Sequence, residues 1–316
     1  MKKQLLIAAV AASMTSVAMA DISISGAAKV NWTDTDYTAA GTADTNTINH
    51  DVDFTIAGKS GATTVSATFQ TSGKTVAGSA NTPGAGTNNV TVTPKASVPT
   101  SGGLITENVY LTTSIAGVNI KTGSYSSGDS MMSNGSRADG KISLDTTISG
   151  IKVQFEDTDA AGNNSSVTVS GSVGDVAVSH EIFDTKTDSK ISGTFGGVTA
   201  TFRSVDSDTD TKDMESTLVS TEVQGVTVTY ADVDANDTHS SDAFFGTVKS
   251  MTDASGFGLS GNVAGNGVTF KSYEIDSVDH TKFIVNRPLA NGSTFEATIH
   301  DNGVADIIDL ELAVKF

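Results

Sequence analysis

Five histidines, several acidic runs and a scatter of lysines are the groups through which this chain of 316 residues would do chemistry. Their spacing argues against acid–base and nucleophilic work. His50, His180, His239, His280 and His300 lie far apart, none in a His-x-x-x-His relation, and read as loop or interface residues. There is no cysteine, which excludes thiolate nucleophiles and cysteine metal sites. No serine sits in a Gly-x-Ser-x-Gly elbow, the strained turn that presents a hydrolase nucleophile. No enzyme is expected. Asp206-x-Asp208-x-Asp210 and Asp232-x-Asp234-x-Asn236 begin like calcium loops, but neither has Gly at its sixth position or Glu at its twelfth. The expectation is solvated loops and no required metal or organic cofactor, with a loosely held Ca2+ in the acidic loops as the alternative.

The elements that carry these residues have a period of two. Ile22, Ile24, Gly26, Ala28, Val30 and Trp32 share one side of a first strand. Val52, Phe54 and Ile56 then oppose Asp51, Asp53 and Thr55, and Val65, Ala67 and Phe69 follow. Ile142, Leu144 and Ile148 alternate with Lys141, Ser143, Asp145 and Thr147. The same pattern runs through Ile151/Val153/Phe155, Val198/Ala200/Phe202 and Val226/Val228/Tyr230. A helix would place apolar residues three and four apart, and no long segment does so. Tight turns are expected at Ser60-Gly61, Ala116-Gly117, Ser149-Gly150, Gly174-Asp175, Gly196-Gly197, Gln224-Gly225, Asn266-Gly267 and Asn291-Gly292, where Gly and Asn accept positive φ. Eight such turns give eighteen strands by counting. Between them lie acidic windows, 156–160, 184–188, 206–213, 232–242 and 276–279, which hold 15 acidic residues and two lysines and read as loops at the other strand ends. A solenoid would repeat a residue motif, whereas here only the hairpin pattern repeats.

Composition supplies the setting. Lys2 and Lys3, the apolar Leu5–Ala12 and Ala18-Met19-Ala20 follow one another as the three parts of a cleaved signal peptide over residues 1–20, so the exported chain is expected to begin at Asp21. The net charge of −17 grows two units more negative without Lys2 and Lys3, and such a chain repels nucleic acid. No run approaches eighteen consecutive apolar residues, so helical membrane spans are excluded. Only 37% of residues are apolar. A transmembrane barrel tolerates that, because only alternate strand residues face lipid. Val65–Phe69, Ile151–Phe155, Val198–Phe202 and Val226–Tyr230 each place an aromatic four residues beyond the first apolar residue, about 13 Å along one face, as a girdle would require.

The last strand adds a specific signal. Ile308, Leu310, Leu312, Val314 and Phe316 share one parity and end on an aromatic. This resembles the assembly signal of outer-membrane proteins, which the barrel-assembly machinery reads through Leu310, Leu312, Val314 and Phe316. The segment from Val109 to Gly123, the opening Ile22-Ser23-Ile24-Ser25-Gly26 and the close from Val304 to Phe316 together resemble Gram-negative general porins of the Rhodobacter-like, alphaproteobacterial type. That resemblance implies an all-β, antiparallel up-and-down barrel in the outer membrane of a Gram-negative bacterium, assembled as a homotrimer among outer-membrane lipid. It implies a water-filled channel for passive diffusion of small hydrophilic solutes and ions. The family has sixteen strands and the hairpins here count to eighteen, so sixteen to eighteen are expected over residues 21–316. It also implies an inward third loop, placed at 124–139, although the Gly/Ser/Thr/Asn-rich stretch 72–104 is the longer loop and the alternative.

Given a barrel, parity places Lys29, Lys59, Lys121, Lys152, Arg203, Lys271 and Lys315 in the lumen with Asp51, Asp53, Asp145, Glu156, Asp309 and Glu311. The opposite assignment would put charge in hydrocarbon at a cost of about 2–4 kcal/mol each near the midplane. The constriction is expected to combine Asp129, Arg137 and Asp139 from the loop with Lys121, Lys152 and Arg203 from the wall. Acidic loops at the mouth point to mild cation selectivity. The rival is a structural or adhesive outer-membrane barrel without an open pore. It would need a large inward-facing apolar set, which the alternation does not show.

Overall fold

The computed structural model describes residues 21–316 except 40–41, 43, 72–75, 78–103, 127–136, 158–164, 209–212, 237–240 and 248–250. The expected signal peptide 1–20, most of the stretch 72–104 read as a loop, and Asp129 therefore lie outside the described residues, as do the side chains of Arg137 and Asp139.

Eighteen long strands form the wall. They are β1 Asp21–Tyr37, β2 Thr45–Ser60, β3 Thr63–Thr71, β4 Leu104–Ile115, β5 Val118–Ser126 and β6 Arg137–Ile148. Next come β7 Ile151–Asp157, β8 Ser166–Val173, β9 Val176–Phe183, β10 Lys186–Phe195, β11 Val198–Ser207 and β12 Met214–Val223. The last six are β13 Val226–Ala235, β14 Asp253–Val263, β15 Asn266–Ile275, β16 Val278–Pro288, β17 Ser293–Asp301 and β18 Ala305–Lys315. Each pairs antiparallel with its neighbours in the chain, and β18 returns to β1 over Ala27–Tyr37 to close the sheet. The count settles at eighteen because β8–β9 and β10–β11 are two separate hairpins.

The pairing register keeps the same faces around the whole wall. On one face Ile24 stands opposite Ile56, Leu144 opposite Phe155, Ile191 opposite Phe202, Tyr230 opposite Phe257, Phe270 opposite Phe283 and Ile299 opposite Ile308. Many of these side chains are exposed, among them Ile24, Phe155, Ile191, Phe202, Tyr230, Phe257, Phe283 and Ile299. In water so continuous an apolar surface would drive aggregation. Around a closed barrel it is the belt that acyl chains cover. The other face pairs Lys29 with Asp51, Asp145 with Gln154, Arg203 with Lys190 and Asp309 with Thr298. Every charge that parity assigned to the lumen lies on this face.

Six of the eight expected tight turns fall where the sequence places them, and the one expected at Ser60-Gly61 lies one residue later, at Gly61-Ala62, because Ser60 ends β2 and pairs with Thr63. Ala116-Gly117, Ser149-Gly150 and Gln224-Gly225 each take positive φ at both residues, the mirror-image geometry that matches strand twist. The other departure is Asn266-Gly267, which belongs to β15; the turn is Ala264-Gly265, two residues earlier. Asn262 and Asn266 brace it, with Gly265 N–H donating to Asn262 Oδ1 at 3.0 Å and Asn266 Nδ2 donating to Val263 O at 3.1 Å. A shift of two residues preserves parity, so no side chain changes face.

The seam between β1 and β18 is closed by Phe316. Its N–H donates to Gly26 O at 2.9 Å, and Gly26 N–H donates to Phe316 O at 2.8 Å. The ring lies across Gly26, where a Cβ would stand 2.5 Å from it. Gly26 thus makes room for the ring that covers the joint. Removing Phe316 should prevent closure, and Gly26→Val should mimic it by displacing the ring, whereas Phe316→Tyr should assemble. Loss of the heat-modifiable folded band on electrophoresis reads the outcome; normal folding of the Phe316 deletion would contradict the seam.

Candidate functional site

Eighteen strands at ~4.8 Å spacing and a ~40° tilt enclose a wall about 35 Å across, which wall side chains alone do not fill. Much of the lumen surface is hydroxyl and amide. Thr55 bonds Thr68 at 2.9 Å, Ser192 bonds Thr201 at 2.9 Å, Asn31 donates to Asp309 at 2.6 Å, and Asn286 donates to Glu296 at 3.1 Å. These cross-strand pairs brace neighbouring strands and present polar groups to whatever fills the bore.

The three wall cations expected at the constriction share a face but not a cluster. Lys152 adjoins the Ser149-Gly150 turn. Lys121 lies between two rings, 4.7 Å from the centroid of Tyr110 and 4.1 Å from that of Tyr125. Lys141 reaches the same Tyr125 ring at 5.0 Å and pairs with Glu156 at 2.5 Å. Arg203 instead grips Asp188, through Nη2 at 2.8 Å and Nε at 3.1 Å. Asp188 is 0% exposed and stands in register with the buried Glu181, and the guanidinium supplies the counter-charge of Asp188. Glu156 and Asp188, two of the acids read as loop residues, are therefore wall residues in ion pairs. Residues 184–188 span a tight turn rather than a long loop, and Asp232 and Asp234 belong to β13.

Two further groupings were not expected. His280 and His300 are not far apart: the β15–β16–β17 register stacks Tyr273 on His280 at 5.0 Å and His280 on His300 at 5.7 Å. Among the described residues no group of three or more His, Cys, Asp or Glu could hold a metal ion.

The second grouping is apolar. Val205, Met214, Ala231, Val233, Ala254, Tyr273 and Ile275 are buried on the lumen face of β11–β15, with Leu218 packed beside them. The expected absence of an inward apolar set is thus corrected for this sector. What covers it is the stretch between β13 and β14, which contributes Phe244, Phe245 and Met251 at 5%, 7% and 0% exposure. Phe244 and Phe245 meet edge to face at 5.0 Å, and Phe245 meets Tyr273 at 5.6 Å. Two adjacent phenylalanines in a polar loop, opposite Ala231, Val233 and Ala235 where β13 leaves its threonine alternation, are the sequence signal for this contact.

The base of the stretch is pinned on both sides. Asn236 N–H donates to Asp213 O at 3.0 Å and Ala235 N–H to Thr252 O at 2.8 Å. In the β15–β16 turn, Asp276 Oδ1 accepts from Thr252 Oγ1 at 2.5 Å, Thr252 N at 2.9 Å and Asp253 N at 3.0 Å. The Thr252 hydroxyl, aided by the two backbone N–H groups and opposed by burial, holds the Asp276 carboxyl below its ordinary 3.8.

No family model matches this chain, and no curated protein does. Solved structures of engineered Rhodopseudomonas blastica porins share its fold. One aligns over 94% of this chain and 100% of its own length at 12% identity and a TM-score of 0.53, and another over the same shares at 10% identity and 0.54. A triple mutant of that porin gives 12% identity and 0.53. The likeness read from both ends and from 109–123 is matched at the level of the fold.

Two outcomes follow. Arg203→Ala should destabilise the barrel by about 3 kcal/mol, since it leaves the buried Asp188 carboxylate short of its cation. Adding Asp188→Ala should recover part of that loss, and a double-mutant cycle in denaturant measures the coupling. The Asp276 contribution is complete above about its unshifted value of 3.8 and is lost as pH falls through the lowered value. Asp276→Ala should therefore expose 236–252 to protease at neutral pH, while acidifying the unsubstituted protein to about pH 5 should not.

Proposed function

We propose that this chain is an outer-membrane porin, a water-filled channel through which small hydrophilic solutes and ions diffuse, with a mild preference for cations. The observation that carries the reading is the closed wall of eighteen strands, apolar outside and charged inside, too wide for its own side chains to fill. A barrel of this kind needs lipid around the belt and water in the bore.

One lumen detail supports the wet interior. Glu296 and Glu311 stand directly opposite each other on β17 and β18, with Asp309 two residues along. Like charges in register are destabilising unless water and counter-ions solvate them. This sector continues onto β2 through Asp51, which Lys29 meets at 3.6 Å, and Asp53. Its surplus of carboxylates supports cation preference more directly than the loop windows do, since Glu156 and Asp188 are taken up by ion pairs.

The rest of the reading follows the family likeness. Homotrimeric assembly, insertion by the barrel-assembly machinery through Leu310, Leu312, Val314 and Phe316, and a narrow section to which Asp129, Arg137 and Asp139 contribute belong to this proposal. No cofactor is required for an open pore, because diffusion through water needs none. The apolar sector on β11–β15 is the one feature that favours a closed barrel, and conductance separates the two.

Purified protein in a planar bilayer should give discrete conductance steps that persist with chelator present. In a salt gradient the reversal potential should show cation preference, weakening as salt shortens the screening length from ~10 Å at 0.1 M. Glu296→Gln with Glu311→Gln should reduce it. Insertion without conductance would exclude the channel.

A further inference from the structure

We propose that residues 241–247 and 251–252, between β13 and β14, form a fixed strap inside the lumen along one side of the narrowest section, with Phe244 seated over Gly258 as its anchor. This rests on the channel reading above and adds the element that sets its size limit.

The first argument is placement. Phe244, Phe245 and Met251 pack on Val233, Ala254, Tyr273 and Ile275, all on the face opposite the apolar belt. Residues between two strands that pack on that face have entered the bore. The second is fit. A Cβ at Gly258 would stand 3.0 Å from the Phe244 ring, so the wall is recessed where the ring sits. Lys271, opposite Gly258 on β15, donates to the Phe244 carbonyl and holds its ammonium 4.5 Å from the ring centroid. A wall lysine is thereby used to hold the strap, satisfying a backbone acceptor that would otherwise be buried against apolar side chains.

Depth gives the third argument. β14 runs from Asp253 at the loop end to Val263 at the turn end, and Gly258 is its central residue. Phe244 therefore reaches about half-way down the wall, some 16 Å along the strand from the rim. A loop resting at the mouth would not reach it. The clasps of Asp276 on Thr252 and of Asp213 on Asn236 hold both ends of this descent. Beside Phe244 an open recess of about 210 Å³ is lined by Leu218, Thr229, Gly258, Thr269 and Lys271.

Direction gives the fourth. β4 lies nine positions round from β13 in a wall of eighteen, so the strap faces β4 and β5 across the bore. Those strands carry Tyr110 and Lys121, and the stretch read from the sequence as a loop at 124–139 begins within β5, which runs to Ser126, and ends within β6, which starts at Arg137. The narrow passage lies between the strap and that sector, which places an aromatic-flanked cation on the far side from an apolar anchor.

The test uses the absence of cysteine in the natural chain. Ala243→Cys, exposed beside the anchor, is modified during recording with a bulky, membrane-impermeant thiosulfonate. Stepwise loss of open-channel current is expected. Unchanged current in conducting, demonstrably labelled channels would overturn the strap. Phe244→Ala with Phe245→Ala, in protein that remains heat-modifiable, should raise single-channel conductance about two-fold and admit larger polyethylene glycols, as widening a constriction does. An unaltered size limit would also overturn it. A silent unsubstituted protein would instead refute the channel reading, so the two failures are distinguishable.

Discussion

Hydrocarbon offers no hydrogen-bond partner to a peptide group, and the rest of this structure follows from that one constraint. Each unsatisfied N–H or C=O in a bilayer costs several kcal/mol, so a sheet that enters one must have no edge. Closure of β18 on β1 removes the edge, and the reciprocal bonds between Gly26 and Phe316 extend the ladder beyond the last strand residue. Closure also fixes which face is which. Once alternate residues must meet acyl chains, the remaining ones are confined to the interior, and they can be charged there only if the interior holds water or partners.

The lumen uses both solutions in different sectors. On β9–β11 the carboxylate of Asp188 is fully buried and is held by Arg203. On β5–β7, Lys121 and Lys141 share the face of Tyr125, and Lys141 pairs with Glu156. On β17 and β18, Glu296 and Glu311 face each other in register, with Asn286 donating to Glu296. On β11–β15 the wall is apolar and a chain segment covers it. Ion pair, ring-flanked cation, paired acids and apolar anchor thus occupy successive arcs of the wall.

What could be read from the sequence depended on whether the information was local. Alternation at Val52–Ile56 or Ile142–Ile148 assigns a face without any knowledge of partners, and the structure agrees with those assignments. Turn chemistry was nearly as legible. Asn266-Gly267 carried the stronger local signal, yet the chain turns at Ala264-Gly265, where Asn262 and Asn266 bond back to the turn and offset the positive φ at Ala264. Contacts set by the pairing of distant strands were not legible. His280 and His300 meet only through the β16–β17 register, and Arg203 meets Asp188 across the β10–β11 hairpin. The inward apolar sector was hidden because Ala231, Val233 and Ala254 are small and look like ordinary filler between threonines. Parity says which face a residue occupies, not what will cover it.

The central claim is that one face of every strand meets lipid and the other meets the lumen, which along β17 is wet. Single cysteines placed in turn at 294–299 of β17, in protein reconstituted into liposomes, test it directly. The account predicts strict alternation: cysteines at 294, 296 and 298 react with a membrane-impermeant thiol reagent, while those at 295, 297 and 299 are protected and, once spin-labelled, contact a lipid-soluble relaxant. Uniform reactivity along the segment, or protection at both parities, would contradict a water-filled barrel.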